Sequence, residues 1–155
     1  MIFVTLGTHY KQFDRLAKKM DEIAGKINEE VIIQLGHTKY EPINAKYFDF
    51  CSYGEMIKYH KNARLVVTHA GVGSILTALE QKTPIIIVPR QKKFGEHMDD
   101  HQIEFVNALS EVNKVKVVYD ISELENDIKI SLEAFEINNN NRLINNMKTY
   151  ITSIS

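Results

Sequence analysis

The chain has 155 residues, 44% of them apolar and 25% charged, with 19 Lys+Arg against 20 Asp+Glu. That length suits one domain with a real core, and the balanced charge argues against a general nucleic-acid binder, which carries a basic excess. The single cysteine, Cys51, excludes an intramolecular disulfide framework and suits a reducing compartment, and no window approaches the roughly 18 consecutive apolar residues of a membrane span.

Met1 leads directly into an apolar strand candidate, Ile2–Leu6, so no secretory leader is expected. Gly7 and Thr8 end that strand, and an apolar stripe at helical spacing marks Phe13–Ile27. A second strand, Val31–Leu35, ends at Gly36-His37. A third, Tyr47–Cys51, runs into a helix over Tyr53–His60. The β-branched run Arg64–Thr68 is followed by His69-Ala70-Gly71-Val72-Gly73-Ser74 and a helix over Ser74–Gln81. Thr83-Pro84 stops that helix, and Ile85–Val88 is the next strand. A long polar segment, Arg90 to His101, overlaps a helix over Met98–Leu109. Strand Val115–Tyr119 and helix Ser122–Phe135 close the pattern. The asparagine run 138–141 reads as a linker, and Arg142 to Ile151 as a helical tail. The expected organisation is a domain over residues 1–135 and a linker with tail over 136–155.

Alternating strands and helices with continuously apolar strands predict an α/β, Rossmann-like parallel sheet with helices on both faces. Ligands of such sheets bind beyond the carboxyl ends of the strands. Gly71 and Gly73 lie there. A helix that begins after a glycine turn offers free N–H groups and a positive dipole end, which favour an anion and most often a phosphate. The turn is not a dinucleotide fingerprint, because Leu76 stands at the third glycine position. It is not a P-loop either, because Gly-Lys-Ser/Thr is absent.

This stretch, from Val66 to Pro89, resembles the sugar-nucleotide half of GT-B glycosyltransferases, specifically the C-terminal domain of glycosyltransferase family 28. Val4-Thr5-Leu6-Gly7-Thr8 with Phe13-Asp14-Arg15-Leu16 resembles that domain's first strand, turn and helix. Phe50-Cys51-Ser52-Tyr53 with Met56 resembles the uracil-holding segment. His69 to Ser74 resembles the diphosphate turn. Val88-Pro89-Arg90-Gln91, then Asp100-His101-Gln102 and Asn107-Ala108, resemble the sugar-reading strand end and helix. Because a full enzyme has two such domains, the chain resembles the small donor-binding subunit of split glycosyltransferases, with the run from Pro89 to Gln102 closest to the bacterial capsular and exopolysaccharide type.

The resemblance implies roles. Gly7 and Thr8 would face the phosphates from a second turn. Gly71, Val72, Gly73 and Ser74 would give N–H groups to the diphosphate and stabilise departing UDP without a metal or other cofactor. His69 would orient the turn. Phe50, Cys51 and Met56 would border the uracil. Gln102 would bridge sugar hydroxyls, and Asp100 or Asp99 would accept from one. Related domains often place Glu or Asp six residues past the motif glycine to hold the ribose; here that position is Thr77, which lacks the charge. The implied partner is a membrane-associated, acceptor-binding subunit that supplies the general base. The implied acceptor is a lipid-linked saccharide. The implied setting is the cytoplasm, at the inner face of the cell membrane, with galactose as the implied sugar and N-acetylhexosamine as the other.

Other features are weighed beside these. His97 and His101 are spaced i, i+4, which suits zinc, but Met98 stands where a metalloprotease needs Glu and no third ligand is apparent. Arg90, Lys92 and Lys93 form a basic run, read either as solvated surface or as a contact for a partner or anionic lipid. Tyr53, Ile57 and Tyr59 make either a partner-facing patch or a packed helix face. Cys51 reads as a small apolar residue rather than a nucleophile. Two rival functions stay open: a stand-alone nucleotide-binding or regulatory module, and a homo-oligomer active by itself.

Overall fold

The computed structural model describes residues 1–97, 101–110, 115–134 and 149. The expected tail over 136–155 lies almost wholly outside the described residues, as do Asp99 and Asp100. Six strands form one parallel sheet: β1 (Ile2–Thr5), β2 (Val31–Gln34), β3 (Lys46–Phe48), β4 (Leu65–Thr68), β5 (Ile85–Ile87) and β6 (Val115–Val117). Their spatial order is β3-β2-β1-β4-β5-β6, every neighbouring pair parallel. The chain thus builds outward from β1 in one direction, then returns to add β4 on its other side. The carboxyl ends of β1 and β4 form the switch point, where loops diverge and leave a crevice. This is the Rossmann-like α/β sheet that the strand pattern predicts.

The helices are α1 (Asp14–Ala24), α2 (Tyr53–Asn62), α3 (Val72–Glu80), α4 (His101–Leu109) and α5 (Leu124–Ala134). Successive strand residues point to opposite faces, so each buried strand feeds two cores. Ile2, Val4, Val67 and Ile86 pack with Leu16, Met20, Leu124 and Ile128, under α1 and α5. Phe3, Val66, Ile85 and Ile87 pack with Ile75, Ala78, Val106 and Leu109, under α3 and α4. Phe3 also stacks on Tyr59, ring centroids 5.0 Å apart, so Tyr59 is core, whereas Tyr53 is 72% exposed.

Several boundaries differ from the sequence expectation. β3 is Lys46–Phe48, not Tyr47–Cys51, because the edge strand's ladder ends where the Leu35 and Gly36 N–H groups take the Phe48 and Asp49 carbonyls. Phe50 and Cys51 therefore sit in a loop. α3 begins at Val72, not Ser74: Gly71 is its cap residue, and the first intrahelical bond is Ile75 N–H to the Gly71 carbonyl at 3.1 Å. A single 3-10 turn, Ile121–Glu123, precedes α5.

Asp21 is a structural centre that periodicity does not reveal. It lies in α1, 2% exposed. Its carboxylate accepts from the N–H groups of Ile43 (3.0 Å), Asn44 (2.7 Å) and Ala45 (3.0 Å) and from the Tyr40 hydroxyl (2.8 Å). It thereby folds the segment that leads into β3. Burial alone would raise its pKa, but these hydrogen bonds outweigh it and hold the carboxyl below its ordinary value. Asp21→Asn should cost about 1–3 kcal/mol at neutral pH, since an amide cannot accept on both sides. With the folded pKa below the unfolded one, this stabilisation is present above about pH 4 and is lost as pH falls through the folded value. Urea unfolding of both proteins should show the gap closing in acid; an equal gap at about pH 2.5 and pH 7 would exclude the carboxylate as its source.

Candidate functional site

Two glycine-bearing loops, after β1 and after β4, meet at the switch point. Gly7 ends β1 with φ of +78°, in the left-handed region. A methyl group there would lie 2.5 Å from His69 Cε1 and Nε2, and one on Gly71 would overlap the same ring, 2.7 Å from Cε1. The His69 imidazole is therefore wedged between two glycines of different loops, and both must lack a side chain for it to fit. Its Nδ1 lies 3.3 Å from the Thr5 carbonyl, to which it donates, so Nε2 carries the lone pair. Burial, helped by the nearby Arg90 guanidinium, lowers its pKa to about 4, so the ring is neutral at pH 7.

Gln34 completes the turn from the adjacent strand. Its side chain accepts from Gly7 N–H (3.2 Å) and the Thr5 hydroxyl (2.7 Å), and donates to the Gly7 (3.2 Å) and Asp49 (2.9 Å) carbonyls. One buried amide thus holds both polar groups of Gly7. The sequence reading missed Gln34, although a lone polar residue ending an apolar strand was a usable signal.

Arg90 belongs to the segment that the resemblance gave to the sugar-reading strand end, but its side chain is buried, and the expectation that it belongs to a solvated or partner-facing run is overturned. It is 2% exposed and lies over the Phe13 ring, 4.7 Å from its centroid. Its guanidinium donates to the carbonyls of Leu6 (2.9 Å), Lys11 (2.8 Å) and Glu96 (3.2 Å). Burial lowers its pKa to about 10, which leaves it cationic at neutral pH. Glu96, 4% exposed, pairs with Arg15 through two bonds of 2.8 and 2.9 Å and accepts from Gln91 N–H at 3.0 Å. The loops after β1 and β5 are thus tied together beneath the crevice by two arginines and one carboxylate. Lys92 and Lys93 stay exposed on a 3-10 turn over Lys92–Phe94.

The α3 amino end faces this crevice. The Val72, Gly73 and Ser74 N–H groups precede the first intrahelical bond. The helix dipole adds to them, so an oxyanion is favoured there. Among the described residues, nothing lies within 4 Å of where a Cβ on Gly73 would stand. Thr77 sits one turn on, buried, and its hydroxyl donates to the Gly73 carbonyl at 2.8 Å. Only its lone pairs remain for a ribose hydroxyl.

The remaining expected residues are spread along the same sheet edge. Thr8 is exposed beside Gly7. Phe50 is 52% exposed and meets His37 edge-on, centroids 5.2 Å apart. Met56 is half-buried and packs into the core under α2. Burial and the Glu55 carboxylate push the Cys51 thiol up, the direction that disfavours a nucleophile. Gln102 lies in α4, its side chain outside the described residues; Asp100 lies outside them altogether, as does the His101 side chain that a zinc pair would need. A cleft of about 510 Å³ opens at the ends of β2 and β3, lined by Thr38, Tyr40, Tyr47 and Asp49 among others. Four exposed aromatics, Tyr10, Phe50, Tyr53 and Phe94, stand in the loops or first turn after β1, β3 and β5.

A family model described as the glycosyltransferase family 28 C-terminal domain matches residues 1–151. The chain is similar to the UDP-N-acetylglucosamine transferase subunit ALG13 of Homo sapiens, 31% identical over 119 residues, which cover 70% of this chain and 10% of that protein. It is also similar to the subunit of the same name from Candida albicans, 37% identical over 68 residues, covering 44% of this chain and 22% of that protein. These relatives are eukaryotic, not of the bacterial capsular type that the sequence resemblance implied, and the chain spans only a minor part of their length. Among solved structures, the kitacinnamycin glycotransferase superposes with a TM-score of 0.66 at 15% identity, over 86% of this chain and 35% of that one. Acinetobacter baumannii MurG superposes at 0.55 and 16% identity, over 86% and 42%. At such identities the likeness is one of fold: one half of a GT-B architecture.

Proposed function

As the chain belongs to the glycosyltransferase family 28 C-terminal domains, we propose that it binds a UDP-sugar at the β1/β4 switch point and is the donor-holding subunit of a two-component inverting glycosyltransferase. Gly73 is the observation that carries this. Glycine is a poorer helix former than alanine, and no described residue stands where a methyl group at this position would meet it. A ligand seated on the Val72–Ser74 amides supplies the missing reason for its small size.

In the reaction an acceptor hydroxyl oxygen attacks the anomeric carbon. The bond from that carbon to the diphosphate breaks, UDP leaves with the electron pair, and the hydroxyl proton passes to a base. The α3 amides, with the positive field of Arg90 behind them, stabilise the growing charge on the diphosphate, so no metal is required in this scheme. The base belongs to the partner's side of the cleft. The exposed aromatics flanking the crevice fit a surface that a second subunit covers. The relatives' names favour an N-acetylhexosamine donor over galactose. A lipid-linked saccharide as acceptor and recruitment to the inner membrane face through the partner complete the reading.

Calorimetric titration with UDP-N-acetylglucosamine, UDP-galactose and an ADP-sugar tests it. Gly73→Ala should leave the protein as stable as wild type or slightly more so, while weakening UDP-sugar binding at least tenfold, the scale of one lost charged hydrogen bond. Equal affinity in the variant would remove the argument from Gly73. A second reading, a nucleotide-binding module without transferase activity, draws on Thr77, whose hydroxyl proton is committed to its own helix. UDP-sugar binding without transfer, when the cognate partner is present, would favour it.

A further inference from the structure

His9 lies in the loop between β1 and α1, half-buried, and three contacts fix its ring. It stacks on Tyr10 with centroids 4.7 Å apart and on His97, from the β5 loop, at 4.9 Å. The Lys11 N–H donates to its Nδ1 at 3.1 Å. That bond occupies the Nδ1 lone pair, so the proton of the neutral ring sits on Nε2. Nε2 has no hydrogen-bond partner among the described residues. Among the described residues, the charged and titratable groups around the ring are Tyr10 and Lys11 on its own loop, His69 from the β4 loop, and Arg90 and His97 from the β5 loop. Burial first, then Arg90, His97 and Lys11, disfavour the imidazolium. A neutral ring with Nε2–H to give is therefore held close to His69, the imidazole between the two glycine turns.

We propose that His9 is a binding residue for the donor's diphosphate, giving its Nε2–H to a phosphate oxygen, and that it is not the base that deprotonates the acceptor. This rests on the UDP-sugar reading above. The field at the crevice comes from the α3 amino end and the buried Arg90, and both select an anionic oxygen as the acceptor of that N–H. A base would need an unshared lone pair, and the only one on this ring is taken by Lys11.

Two variants and two ligands test it. His9→Phe keeps a stacking ring between Tyr10 and His97 but has no N–H; His9→Gln keeps an N–H donor. His9→Phe should lose roughly tenfold to a hundredfold in affinity for both UDP and UDP-N-acetylglucosamine, the scale of a lost hydrogen bond to a charged group. His9→Gln should stay within about fivefold of wild type. Wild-type affinity for UDP-N-acetylglucosamine, whose diphosphate does not titrate near neutrality, should stay level from about pH 7 to 8.5, because the donor is neutral. Thermal melting of both variants reports folding separately. If wild type binds and His9→Phe binds equally well, this inference fails while the donor-site reading stands. If only UDP-N-acetylglucosamine binding weakens, the ring reads the sugar and the inference also fails. A fall of about tenfold per pH unit would mean a charged ring and overturn the neutral donor. No binding by wild type at any pH would overturn both readings together.

Discussion

Gly71→Ala should destabilise the protein by about 1–3 kcal/mol and weaken UDP-sugar binding at least tenfold, while in a His69→Ala background the same change should cost a few tenths of a kcal/mol. Gly71 has φ of −75° and ψ of 124°, a conformation open to any residue. Its small size is therefore demanded by the neighbouring ring and not by its own backbone. The added methyl overlaps the His69 imidazole. That ring has nowhere to go, because Gly7 closes the other side. The turn must shift instead, and the Val72–Ser74 amides shift with it. Removing the ring removes the conflict. Urea unfolding of the two single variants and the double variant should then give a coupling of about 1–2 kcal/mol. Gly7→Ala is the control. Its φ of +78° makes alanine strained by about 1–2 kcal/mol whether or not the ring is present. Because a methyl at Gly7 meets the same ring, His69→Ala should rescue Gly7→Ala only in part, the backbone strain remaining; if it rescues neither glycine variant, ring overlap is not the source of the effect.

Arg90→Met should cost about 3–5 kcal/mol and abolish measurable UDP-sugar binding even at a temperature where the variant is folded. The methionine fills much of the volume over Phe13 but strands the carbonyls of Leu6, Lys11 and Glu96, which the guanidinium now satisfies. Glu96 keeps Arg15, so no carboxylate is left unpaired. The loss therefore falls on the loops and their carbonyls. Arg90→Lys should lie between, because an ammonium cannot reach three carbonyls in the plane of a fork. A second consequence separates this role from simple packing. The Arg90 charge helps to depress the pKa of His69 and of His9. In the methionine variant both rings should titrate at higher pH, as histidine NMR would show. Unmoved histidine titrations, with binding intact, would mean that Arg90 is a packing residue alone.

The glycine turn and the helix that follows it were legible in the residues, and so was the alternation of strands and helices. Those signals are local. A β-branched run, a Gly-x-Gly and an apolar stripe act within a few residues of themselves, so a short window contains their cause. The roles of Gln34 and His9, and the buried bracing role of Arg90, were not legible. Each acts on groups far along the chain: Gln34 on Gly7 and Asp49, Arg90 on Leu6 and Lys11, His9 on the ring of His97. In the sequence, Arg90 is one of a basic run with Lys92 and Lys93, and composition gives no reason to separate them. The fold separates them, because the β5 end points Arg90 under the crevice while the 3-10 turn lifts the two lysines into water.

By itself, then, the sequence determined the parallel α/β class, the position of the glycine turn and the family. The tertiary structure decided that β4 returns to lie beside β1. That single adjacency brings the Gly7 and Gly71 turns against one imidazole and gathers the Arg90 contacts beneath it. The physical reason is range. Backbone propensity and hydrophobic periodicity are written in neighbouring residues, whereas a buried polar side chain takes its role from whichever carbonyls and amides the strand order places within hydrogen-bond reach.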